Sequence, residues 1–87
     1  MSDRRHRTLL AAILSPSPPS TLRWAEVEAM LTHFGALISE RAGSRIAVSL
    51  NGRIAVFHRP HPQKEASRTM VRAVRAFCRE AELEGEL

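Results

Sequence analysis

One cysteine, one lysine and one tryptophan occur among 87 residues, and the first of these shortages excludes the most. With Cys78 alone the chain has no internal disulfide and no thiolate cluster to hold a metal, so a reducing cytoplasm is the expected setting. The longest apolar run, Leu9–Leu14, falls far short of the roughly 20 residues that span a bilayer. No small-residue cleavage pattern follows it, and a soluble, unprocessed protein without a membrane partner is expected. Glycine is scarce too, and Gly43 and Gly52 sit in turns without phosphate-loop spacing. His58 and His61 flank a proline with no third ligand nearby, so neither a metal nor any other cofactor is expected. Trp24, Phe34, Phe57 and Phe77 all fall on apolar faces, which leaves no aromatic platform for stacking nucleic-acid bases. A chain this short has room for one core and one domain.

Positive charge is what the sequence does have. Glu80, Glu82, Glu84 and Glu86 crowd the last eight residues; over residues 1–79, thirteen basic side chains face five acidic ones, a balance of +8. Twelve of the thirteen are arginines, whose planar fork matches phosphate oxygens better than an ammonium does. A polyanionic partner fits this balance. A merely solvated, arginine-rich surface fits it as well, and composition does not separate the two.

Periodicity divides the chain. Asp3 to Leu14 carries Leu9, Leu10, Ile13 and Leu14 at helical spacing and stops at Ser15-Pro16-Ser17-Pro18-Pro19-Ser20, where the prolines forbid a helix. Residues 1–20 therefore read as a helical arm with a Pro/Ser linker, packed on its own domain or swapped between subunits of a homodimer. From Thr21 onward Trp24, Val27, Met30, Leu31 and Phe34 form one face of a helix ending at Gly35. Ala36–Arg41 and Arg45–Leu50 read as strands. Asn51-Gly52 is a two-residue hairpin turn, and Arg53–Arg59 is the returning strand. Ser67 caps a last helix from Arg68 to about Ala81, with Val71, Val74, Phe77, Cys78 and Ala81 inward. Residues 21–87 thus predict an α+β domain of helix, three-stranded antiparallel sheet and helix, like the double-stranded-RNA-binding domain. Both helices should cover one sheet face and leave the other open.

A two-residue turn fixes the register, so Arg45 should face His58 on the open side, with Ala47 opposite Val56 and Ser49 opposite Ile54. Facing side chains have Cβ atoms about 4.5 to 5.5 Å apart, close enough for a guanidinium and an imidazole to hold one phosphate. Two polar residues solvating an exposed face would look the same. On the last helix Arg68, Arg72, Arg75 and Arg79 form one outward stripe that can follow a phosphate backbone, or simply solvate the helix. Cys78 reads as core, and His6 and His33 as structural or incidental, with His33 suited to a helix end.

The order of these motifs resembles the HicA family over about residues 22–83. The matching features are a helix ending at glycine, a short strand, Gly43-Ser44 opening the next strand, and Pro60-His61-Pro62-Gln63-Lys64-Glu65 leading into the last helix. The resemblance implies a small endoribonuclease, an mRNA interferase toxin silenced by a HicB-like antitoxin, often without metal. It also implies RNA contacts by Gly43, Ser44, Arg45 and Lys64 besides the arginine stripe. In the family the Gly-Ser pair is typically followed by a catalytic histidine, whereas this chain has Arg45, a cation that clamps phosphate but accepts no proton. His58 on the facing strand is then the candidate base, with His61 a weaker one. Two alternatives stay open: an RNA-binding module without catalysis, and a dimer or partner surface built from Ala47, Ile54 and Val56.

Overall fold

The computed structural model describes residues 2–87. In chain order the elements are α1 (Ser2–Leu14), β1 (Leu22–Arg23), α2 (Trp24–His33), β2 (Leu37–Glu40), β3 (Arg45–Leu50), β4 (Arg53–His58), β5 (Glu65–Ala66) and α3 (Arg68–Glu80), followed by a short 3₁₀ turn, Leu83–Glu86. β2, β3 and β4 form an antiparallel meander in that order. The α+β, double-stranded-RNA-binding-like architecture expected from periodicity is the one observed.

One face of the meander is covered. Ile46, Val48, Leu50 and Phe57 point inward with Val27, Met30 and Leu31 of α2 and Val71, Val74, Phe77 and Cys78 of α3. Phe57 lies between the two helices, 5.7 Å from the Trp24 ring and 6.0 Å from the Phe77 ring, which ties both to the same side of the sheet. α2 ends where Gly35 takes a φ of +109°, a conformation without penalty only for glycine. The Ser67 hydroxyl caps α3 by accepting from the Met70 amide at 3.3 Å. α1 lies across α2 and α3, with Leu10 and Ile13 fully buried. The arm is therefore part of this chain's own core.

Two elements escape periodicity because each is two residues long. Leu22–Arg23 pairs antiparallel with Glu65–Ala66, so Thr21–Arg23 is not the first turn of the helix, which begins at Trp24. This ladder, extended by the Trp24 amide donating to the Lys64 carbonyl at 3.0 Å, anchors the loop of residues 59–64. The hairpin is anchored too: the Asn51 side chain donates from Nδ2 to the Ala81 carbonyl at 2.8 Å, where α3 ends.

Candidate active site

Asn51 and Gly52 adopt φ values of +52° and +80°, the paired positive values of a type I′ turn. The register that follows pairs Leu50 with Arg53 and, five steps on, Arg45 with His58. Hydrogen-bonded and non-hydrogen-bonded pairs alternate away from the turn, which makes Arg45 and His58 a non-hydrogen-bonded pair, the kind whose side chains stand closest. The Arg59 amide, donating to the Ser44 carbonyl at 2.8 Å, carries the ladder one step further and keeps the strand ends together. Both side chains are exposed on the uncovered face. The Arg45 Nε donates to the Ala42 carbonyl at 3.0 Å, which folds its stem over the Gly43-Ser44 turn.

Two features of this end of the sheet are silent in the sequence. The Arg41 amide donates to the Arg45 carbonyl at 2.9 Å, so strand alternation brings Arg41 into the same row as Arg45 and His58. Arg41, beyond the last apolar residue of a short strand, carries no periodic signal. Arg59, next to His58, is gripped by two carboxylates. Its Nε and Nη2 donate to Glu28 at 2.7 and 3.0 Å, and its Nη1 donates to Glu40 at 2.9 Å. These bonds hold the guanidinium protonated far above the ordinary arginine range. The Trp24 indole N–H donates to Glu28 as well. This network ties the residue that follows β4 to α2 and β2, and so fixes the strand end from which His58 projects.

Beyond the Arg45 row the open face turns apolar. Leu37, paired with Ser49, and Ile54 and Val56 are 76%, 72% and 57% exposed. Leu37 joins this patch through the β2–β3 register, which no turn of two residues specifies. Ala47 does not belong to it as an accessible contact. It lies on the same face, but at 5% exposure its methyl is sunk between the longer side chains of the flanking strands.

The α3 arginines form a different surface. α3 covers the inner face of the sheet, so its outward side does not share a plane with Arg45 and His58. Arg68 and Arg72 are exposed, whereas Arg79 lies 4.0 Å from Glu84 and Arg75 is half-buried, its Nη2 donating to the Ser15 carbonyl at 3.1 Å. The arm thus interrupts the free stripe expected from spacing. Lys64 and His61 are exposed in the loop before β5, and Lys64 borders a cleft with Trp24, Glu28 and Arg59. Burial raises the Cys78 thiol to about 12, with the Glu84 charge adding to the shift, so the thiol is core and inert. His33 lies in the last turn of α2; its Nε2 donates to Asp3 at 2.9 Å and its ring stacks on His6. No three histidine, cysteine or carboxylate side chains come together as a metal set among the described residues. No helix among them is long and apolar enough to cross a membrane.

Fold and surface define a small basic domain of the double-stranded-RNA-binding type with a histidine and an arginine paired on its open sheet. Residues 24–83, from the start of α2 to the 3₁₀ turn, match the family model described as the HicA toxin of bacterial toxin-antitoxin systems, and the chain belongs to the HicA toxin family. No curated protein and no solved structure matches it.

Proposed function

We propose that the chain is the RNA-cleaving toxin of a type II toxin–antitoxin pair, acting in the cytoplasm on messenger RNA, with His58 as base and Arg45 as phosphate clamp. The observation that carries this reading is the direct pairing of Arg45 with His58 on an exposed face, where family membership calls for RNA chemistry. The His58 imidazole takes the proton of a ribose 2′-hydroxyl, whose oxygen attacks the adjacent phosphorus. The bond to the 5′-oxygen breaks, leaving a 2′,3′-cyclic phosphate, and the departing oxygen takes a proton from water. Arg45, with Arg41 beside it, faces the negative charge that builds on the non-bridging oxygens. The base and the phosphate clamp are side chains of the protein, water supplies the remaining proton, and the protonated His58 returns its own to the hydroxide so formed; the scheme calls on no metal.

The exposed Leu37, Ile54 and Val56 next to the pair suit a HicB-like antitoxin that covers the apolar patch and blocks His58 in the same contact. A second reading, RNA binding without cleavage, is favoured by one observation: the position after Gly43-Ser44 holds Arg45 rather than a histidine. Controlled expression in a bacterial host separates the two. Wild type should arrest growth and His58→Ala should not, at equal protein level; growth arrest by His58→Ala, or none by wild type, contradicts the catalytic reading. Arg45→His should increase toxicity only if His58 is an insufficient base.

A further inference from the structure

The positive surface of α3 includes a cleft of about 290 Å³, lined by Arg68, Arg72 and Arg75 on one side and Pro18, Pro19 and Ser20 of the linker on the other. None of the three guanidinium groups pairs with a carboxylate among the described residues. Arg75 is half-buried with one bond to the Ser15 carbonyl, and its Nε is buried without an acceptor. Partly desolvated positive charge without a counter-charge is costly, and two more arginines beside it deepen the imbalance. The first turn of α3 holds no acidic residue, so the partial positive charge of the helix start adds to the same field. The facing wall is stiff, since prolines have a fixed φ and offer no N–H, while Ser20 contributes a hydroxyl.

We propose that this cleft is a phosphate-binding site, in which Arg68 and Arg72 hold one phosphate group against Ser20. Its volume is at the lower limit of ligand pockets, about 300 Å³, enough for a phosphate and its sugar, and no aromatic side chain lines it to stack a base. The site lies outside the Arg45–His58 row, and three of its seven lining residues belong to a linker outside the matched residues 24–83. It rests on the RNA reading only for the source of the phosphate, either a terminal monoester or a backbone diester.

The test is an NMR titration of the full chain with inorganic phosphate, ionic strength being held constant with chloride. Saturable shifts are expected at the amides of Ser20 and Arg68 to Arg72, with affinity falling about tenfold in Arg72→Gln, as for loss of one charge-assisted hydrogen bond. Shifts that never saturate, or that Arg72→Gln leaves unchanged, overturn the site. Competition by one oligoribonucleotide with a 5′-phosphate or a 5′-hydroxyl then names the source: preference for the phosphate supports a terminal monoester, and equal displacement a backbone diester. Displacement by neither overturns the assignment to nucleic acid. His58→Ala should show the same saturable shifts at Ser20 and Arg68 to Arg72 as wild type, so failure of the catalytic reading and failure of this site are seen separately.

Discussion

His6 lies on the arm with its ring 4.6 Å from that of His33, among Asp3, Arg5 and Arg7, and its pKa is lowered by burial first and then by the charges of His33 and Arg5. A histidine whose folded pKa lies below its unfolded value, about 6.5, stabilises the fold above that pH and loses the contribution as pH falls through it. Asp3 is also held low, chiefly by the His33 hydrogen bond, but its linkage acts only below the carboxylate range. Melting temperature should therefore fall between about pH 7.5 and 5.5, the window in which histidines titrate, and His6→Gln should flatten that slope. Parallel slopes for the two proteins would contradict the assignment. No pattern in the sequence indicates this contact: thirty residues separate Asp3 from His33, and only the docking of α1 on α2 joins them. The Glu28–Arg59–Glu40 bridge was unreadable for the same reason, whereas Arg45 and His58 could be paired on paper because two turn residues set their register.

At the scale of elements, what the sequence makes legible is what repeats. Three helices, three strands and one type I′ turn follow from periods of 3.6 and 2 and from Asn51-Gly52, and their ends agree to within a residue or so except in α2, which starts three residues later and stops two earlier than the expected Thr21–Gly35. β1 and β5 are too short to have a period, and the placement of the arm depends on which apolar faces of α2 and α3 remain uncovered by the sheet. That placement makes α1 structural, with Leu10 and Ile13 as buried as any residue of the family-matched region. Leu10→Ala should cost about 2–5 kcal/mol in denaturant unfolding, as for other large-to-small core changes. A loss below about 0.5 kcal/mol, the range of surface substitutions, would show that the arm is an appendage.

The described residues present two cationic surfaces on opposite sides of one core, and of these two the open sheet is the one that joins a cation to a histidine, Arg45 to His58. The charge balance of residues 1–79 fits a polyanionic partner and a solvated surface alike, and separating the two surfaces required the layering of helices behind the sheet. Under the two proposals binding and cleavage should divide accordingly, since the α3 cleft proposed to hold phosphate contains neither Arg45 nor His58. The most direct test is to measure single-turnover cleavage and equilibrium binding of one defined RNA for wild type, His58→Ala and Arg45→Ala. Cleavage by wild type is expected, none by His58→Ala with binding nearly unchanged, and loss of both rate and affinity in Arg45→Ala. Normal cleavage by His58→Ala, or no cleavage by wild type on an RNA that it binds, would contradict the catalytic reading.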